Sequence, residues 1–425
     1  MKKGLLLGAG FSFDLGMPLA YELTEDFLNA YNEAYVNRLA LAMSAWQPYG
    51  TDRPINKNAI INGWGLLLDY KKNGGTNYEA FLADLQNLKG MTNPTQSDRD
   101  SHNYLFVYFY DVIHTILSLY QTTSYELIYE HNKQWFSKID NLICDQETWV
   151  FSLNHDLYFE YLALDFHIPV TYGDNETITF PVSNLDMRRQ ITLSCLKREQ
   201  VSVEHAGFYK NVRGVNLVKL HGGLSELEYL DGSLLCNLRL NKPSSRELAV
   251  EFLVSREMAY YRGGRKIAGG KDRTITNMAG ELDIISQSML TGGRKYSRTS
   301  KIKEGEEKLK LFDDVLKSLD QLTIIGYGFG DEHINFRISN ALLLNPGLSV
   351  VIVNPHINET PDCIRQFDYD LRIKRAACGA AHWMDYCQSG KWDVAQMNAL
   401  KENTRFRGEI KDRVRSELTQ WASAF

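Results

Sequence analysis

Three short aliphatic runs, each closed by glycine or by Asn-Pro, constrain the fold of this chain more than any other feature. They read "GLLLGAG" from Gly4, "TIIGYGFGD" from Thr323 and "SVVIVNP" from Ser349. A strand with one wet face alternates apolar and polar residues, whereas a run that is apolar throughout fits a strand covered on both faces, as in a parallel sheet. "TWVFSLNHD" from Thr148 and "NLVKLHGG" from Asn216 show the same habit. Long stretches of helical periodicity separate the runs, which points to an open α/β sheet whose ligands sit at the carboxyl ends of the strands. Every polar motif singled out below falls at such an end.

Length and charge narrow the classes. At 425 residues, a prior of roughly 150 residues per domain gives two to three structural units. Lys and Arg number 47 against 52 Asp and Glu, a net charge of −5. That balance gives no general attraction to nucleic acid or anionic membranes, so direct nucleic-acid binding is not expected. Cys144, Cys195, Cys236, Cys363, Cys378 and Cys387 contain no C-x-x-C pair. This spacing argues against a zinc ribbon or disulfide framework and for a reducing, cytoplasmic setting. "MKKGLLLGAG" begins like a leader, but its apolar part is too short for one. "YLFVYFYDVIHTILSLY", Tyr104 to Tyr120, is interrupted by Asp111 and His114. It reads as a buried helix, because a spanning segment needs roughly 20 apolar residues.

The runs divide the chain. Residues 1–30 are expected to begin a Rossmann-like core, which continues through 146–236 and 311–385. Residues 31–145 read as a helical insertion, in which "YEAFLADLQNL" places Phe81, Leu82, Leu85 and Leu88 at helical spacing. Residues 237–310 read as a basic, Gly-rich loop insertion containing "YRGGRKIAGGKDR" and "TGGRKYSRTSK". From Arg256 to Lys310 there are 13 Lys or Arg and 7 Asp or Glu, a local net of 13 − 7 = +6. Such a stretch is either a solvated loop or a surface for phosphates or a partner. Residues 386–425 read as C-terminal helices, and no internal repeat is present.

Each strand end has a bland reading and a chemical one. Gly8-Ala9-Gly10 before Ser12 lets backbone approach a pyrophosphate at a helix start, or is simply a tight turn; it is neither G-x-G-x-x-G nor a Walker A loop. Asn154 and Asp156 lie two apart after a strand and suit a ribose, a carboxamide or an attacking water, or else cap the next helix. His221, with Gly222 and Gly223 behind it, is placed to act as a general base, or is a structural histidine. Gly326, Gly328 and Gly330 precede Asp331, a ligand or an N-cap. Asn354 stands where dinucleotide folds meet an adenosine ribose.

Together these motifs resemble the sirtuin superfamily, specifically its bacterial branch in anti-phage defence systems. "GAGFSFDLGMP", "SLNHD", "KLHGG" and "GYGFGDEHIN" are similar to its four signature stretches over nearly the whole chain, and "GGRKYS" also looks like this branch. The resemblance implies an α/β fold: a Rossmann-like parallel sheet of the sirtuin type with a large helical insertion and no zinc module. It implies that Gly8, Ala9, Gly10 and Ser12 bind the NAD phosphates and nearby ribose. Asn154 would position the ribose or the water, Asp156 would lie near the nicotinamide carboxamide, and His221 would be the catalytic base. Gly326, Gly328 and Asn354 would hold the adenosine side, with Asp331 beside them.

Departures from the family's protein deacylases shift the expected activity. Those carry four zinc cysteines between the histidine and the third motif, where this chain has only Cys236. Leu153 stands at their glutamine, and "GMPLAYEL" lacks their Asp-Phe and arginine. The expectation is therefore an NAD+ glycohydrolase without a metal, with NAD as substrate, releasing nicotinamide and ADP-ribose in anti-phage abortive infection. The alternatives are a non-catalytic NAD or ADP-ribose sensor, a deacylase, or a nucleotide-binding abortive-infection protein with a similar opening. By the same resemblance, the partners are further copies of the chain and an activator such as a ring ATPase, an argonaute-like protein or a phage component.

Overall fold

The structure is a computed structural model that describes residues 2–45, 55–267, 269–291, 305–392, 394, 395, 398 and 404–423. The "GGRKYS" stretch lies outside the described residues. In chain order the strands are β1 (Lys3–Leu7), β2 (Glu147–Ser152), β3 (Val170–Thr171), β4 (Glu176–Ser183) and β5 (Asp186–Lys197). Then come β6 (Gly214–Lys219), β7 (Leu227–Tyr229), β8 (Leu234–Leu238), β9 (Tyr261–Arg262) and β10 (Arg265–Lys266). The last five are β11 (Asp272–Thr276), β12 (Leu282–Gln287), β13 (Gln321–Ile325), β14 (Ser349–Val353) and β15 (Ile373–Ala376).

The chain divides into two compact units. The first comprises residues 1–17, 124–289 and 301–408 and holds a seven-stranded sheet in the order β15-β14-β13-β1-β2-β6-β3. Every pair in it is parallel. The fold is thus the α/β, Rossmann-like parallel architecture read from the aliphatic runs. Leu6 of β1, Ile324 of β13 and Ile352 of β14 are fully buried, which is why these runs show no polar alternation. β1 is central: the chain passes from it to β2 on one side and returns much later to β13 on the other. That reversal is the topological switch point, where parallel sheets open a crevice.

The same unit carries a six-stranded antiparallel sheet, β11-β12-β7-β8-β5-β4. Residues 237–310, read from sequence as loops, contain the helix Ser245–Glu257, the short β9–β10 ribbon and the β11–β12 hairpin. Asn277 makes that hairpin's turn, its Oδ1 accepting from Ala279 N at 3.0 Å and Glu281 N at 2.9 Å. Local side-chain bonding of this kind favours a turn over a continued strand.

The second unit comprises residues 18–123, 290–300 and 409–425. Its helices include Ala20–Asn29, Glu33–Ala45, Lys57–Lys72, Tyr78–Gln86 and most of Gln96–Ser124. Phe27, Trp64 and Phe81 pack edge-on around Phe109, with ring centroids 5.8, 4.9 and 5.2 Å from it. Asn56 and Asn77 cap their helices through Asn58 N and Glu79 N. Tyr104 to Tyr120 belongs to Gln96–Ser124, and no described helix is long and apolar enough to cross a membrane.

Candidate functional site

The loops that leave the parallel strands are held at one edge by the ladder itself. Gly8 N donates to Ile325 O, Leu153 N to Leu7 O, Leu220 N to Ser152 O and Gly326 N to Val353 O, each at 2.9 Å. Asn354 N continues the series to Ala376 O at 3.1 Å. The turns after β1 and β13 then pack backbone against backbone. Gly326 has φ +67, and a Cβ there would lie 2.4 Å from Gly10 C and Phe11 N. Both the left-handed conformation and the contact require glycine. By contrast, a Cβ on Gly328 would meet nothing within 4 Å, so that part of the loop faces open space.

Ser12, Asn154 and Asp156 form one hydrogen-bonded chain, with exposures of 0, 8 and 7%. Asn154 Nδ2 donates to Gly8 O at 2.9 Å and to Ser12 Oγ at 3.3 Å. Ser12 Oγ donates to Asp156 Oδ1 at 3.0 Å, which also accepts Tyr158 N at 3.0 Å. Asp156 therefore both joins the site and holds the start of helix Tyr158–Asp165. Burial raises its carboxyl pKa, opposed by the Lys219 ammonium. Lys219, at the end of β6, donates to the Asp156 carbonyl and pairs with Glu160 at 2.8 Å, both side chains 1% exposed. Ala9 and Gly10 are half-buried in the same turn.

His221 lies two residues beyond Lys219 and is 2% exposed. Behind it Gly222 has φ +66, and a Cβ there would sit 2.2 Å from Ser288 O. His155 Nδ1 is 3.2 Å from Gly222 O, which joins the loops after β2 and β6. His221 Nε2 is 3.4 Å from His333 Nε2, with ring centroids 5.6 Å apart. Asp331 completes a group whose ligand atoms all lie within 4.8 Å of one another. The Tyr327 hydroxyl fixes this loop, accepting from Asp331 N at 3.1 Å and donating to Asn335 Oδ1 at 3.0 Å. Asn335 Nδ2 in turn donates to Phe329 O at 2.8 Å.

The structure thus gathers Gly8, Ala9, Gly10, Ser12, Asn154, Asp156 and Gly326 around one pair of turns, and His221 with Asp331. Asn354 stands at the end of β14, its Oδ1 accepting from His356 N at 2.9 Å. His333 is the neighbour that motif reading passes over. Its signal is the Asp-x-His spacing at the start of helix Glu332–Leu344, which puts both side chains on the first turn. A groove of about 1210 Å³ elsewhere in this unit is lined by Lys197, Arg198, His205, Glu228 and Glu307, and by none of these residues.

No protein-family model and no curated protein matches the chain. Among solved structures, a Sir2 homolog–NAD complex is 12% identical, with 98% of this chain and 90% of that one covered and a TM-score of 0.33. Sir2Tm bound to a propionylated peptide is 10% identical, with coverages of 92% and 93% and a TM-score of 0.30. A structure on sirtuin substrate affinity is 10% identical over the same shares at a TM-score of 0.32. These alignments run the length of the chain without superposing it closely, and the site described above rests on this chain's own geometry.

Proposed function

We propose that this chain is an NAD+ glycohydrolase that cleaves the bond between nicotinamide and ribose. The observation that supports it is the meeting, at the switch point, of a glycine turn, a buried Asn154–Ser12–Asp156 chain and His221 on the adjoining strand end. Gly8, Gly10 and Phe11 already use their N–H groups inside the turns. Phosphate contact therefore falls to the half-buried Ala9 at the mouth of the sheet, with the buried Ser12 acting through its hydrogen bonds to Asn154 and Asp156. Gly326, Gly328, Asp331 and Asn354 flank the adenosine side.

Breaking this bond passes through an oxocarbenium-like ribose. Nicotinamide leaves with the bonding electron pair, and water adds to C1′. In this reading Asn154 aligns the water or the ribose hydroxyl, and His221 takes the proton. The activity serves NAD depletion in anti-phage abortive infection, gated by self-association or by an activating partner protein.

The test is nicotinamide release from NAD+ by the full chain. General-base help is worth ~10²- to 10⁴-fold in rate, so His221→Ala is expected to retain NAD+ and lose turnover on that scale. Asn154→Ala is expected to lose turnover as well. Unchanged release in both variants overturns the assignment. NAD+ binding with no nicotinamide released by the wild type, either purified at high concentration or in an infected-cell extract that supplies an activator, marks a sensor, and release that requires an acyl-lysine peptide marks a deacylase.

A further inference from the structure

We infer that His221, Asp331 and His333 form a site for one transition-metal ion, Zn²⁺ in type, with a fourth position open. Two imidazoles and a carboxylate are a donor set for Zn²⁺, Co²⁺ or Fe²⁺ rather than for Mg²⁺ or Ca²⁺, which prefer all-oxygen shells. The spacing fits as well. Two nitrogens each bound at about 2.0–2.1 Å to a tetrahedral ion lie ~3.3–3.4 Å apart, and His221 Nε2 and His333 Nε2 are 3.4 Å apart. An octahedral centre with the same bond lengths would draw neighbouring ligands to ~2.9 Å.

Asp331 completes the set, since all three ligand atoms are within 4.8 Å of one another. The backbones on both sides are fixed: Gly222 is pressed on Ser288 behind His221, and Tyr327 and Asn335 hold the loop that carries Asp331. Such preorganisation is what a tight metal site requires.

The ion has a consequence that rests on the hydrolase reading. It takes the Nε2 lone pair that His221 needs as a base, so metal occupancy and NAD+ cleavage exclude each other and Zn²⁺ acts as an inhibitor of the site.

The test uses the full chain stripped with chelator, loaded with Co²⁺ or Zn²⁺ and desalted. Bound metal is counted by atomic emission, and the Co²⁺ form is read by its visible absorption. One ion per chain is expected, with a tetrahedral-type Co²⁺ spectrum that Zn²⁺ displaces and Mg²⁺ does not. His333→Ala and Asp331→Asn are each expected to weaken binding by at least ~10-fold, since even outer-shell changes cost about 10- to 100-fold. No stoichiometric ion in the wild type, or the same ion in both variants, overturns the site. In the NAD+ assay, Zn²⁺ is expected to suppress nicotinamide release by the wild type, and far less so in His333→Ala relative to that variant's own metal-free rate. Equal rates with and without Zn²⁺ in a loaded wild type overturn the antagonism. A chain that binds Co²⁺ as described but never releases nicotinamide sinks the hydrolase reading and leaves the metal site standing.

Discussion

Replacing Lys219 by methionine is expected to destabilise the sheet unit far more than any surface change. Lys219 Nζ is 2.8 Å from Glu160 Oε1 with both side chains 1% exposed, and it also donates to the Asp156 carbonyl. Taking away one partner of a buried ion pair leaves the other charge without compensation, which costs about 3–5 kcal/mol. With a urea dependence of about 2–3 kcal/mol per molar, the unfolding midpoint falls by ~1–2.5 M. Glu160 keeps the Tyr172 hydroxyl at 2.9 Å in either case. The double variant Lys219→Met/Glu160→Gln therefore removes both charges while Gln still accepts from Tyr172. What it loses is chiefly the bond to the Asp156 carbonyl, worth about 1–2 kcal/mol. The double variant should accordingly be more stable than the single one by ~1–4 kcal/mol, measured as urea midpoints by far-UV circular dichroism. If the second substitution recovers nothing, the pair is not the reason for the lysine, and the argument fails.

Two further outcomes follow from the turns. Gly326→Ala puts a Cβ against Gly10 and forces φ +67 on a residue that avoids it, so the first turn must shift. The expectation is a loss of NAD+ affinity together with at least ~1–2 kcal/mol of stability, whereas Gly328→Ala, which meets nothing, changes stability little; equal effects at both positions would refute the packing account. Asp14 has its carboxyl pKa pushed up from 3.8 to about 6 by burial, against the opposing pull of the Arg407 guanidinium. The folded chain binds this proton more tightly than the unfolded one, so the stability it confers is full below about pH 3.8 and lost as pH rises through about 6. Asp14→Asn should thus be more stable than wild type at pH 7, with the gap closing toward pH 4, as followed by urea midpoints across that range.

The parallel sheet was legible because its strands are covered on both faces: β1, β13 and β14 close on unbroken aliphatic stretches, Leu5–Leu7, Ile324–Ile325 and Val350–Val353, and are followed by turn residues. The antiparallel sheet was not, because its outer strands β4, β11 and β12 are half-wet and their apolar positions are diluted. In β11 the sequence is Asp-Arg-Thr-Ile-Thr, with Ile275 and Thr276 buried and Asp272 exposed. Glycines and basic residues around it, at "YRGGRK", read as loop, yet Gly263 and Gly264 merely turn the β9–β10 ribbon, both at positive φ. At the site, Asn154, Asp156 and His221 stood out as polar residues closing apolar runs. His333 did not, because an Asp-Glu-His opening is ordinary helix N-terminal chemistry until a tertiary neighbour, here His221, gives it another meaning.

The support for His221 comes largely from the stretch that looked least structured. The Lys219 carbonyl accepts Lys308 Nζ at 3.0 Å, and Lys308, 89 positions further along in helix Glu306–Leu316, also pairs with Glu226. Ser288 donates to the same Glu226 carboxylate and presents its own carbonyl to Gly222. The contacts Glu160–Lys219, Lys219–Lys308, Lys308–Glu226 and Glu226–Ser288 thus form one buried polar path that ends at Ser288, against Gly222 beside the histidine, and a cavity of about 30 Å³ beside Lys219 and Glu226 has room for a water. Buried ion pairs contribute little net stability, so their value here is positional. Lys219 fixes the loop that carries Asp156, while Lys308 and Ser288 fix the turn behind His221. Two of those three residues lie between positions 237 and 310, so that region carries the frame of the candidate base and is more than a surface added to a finished core.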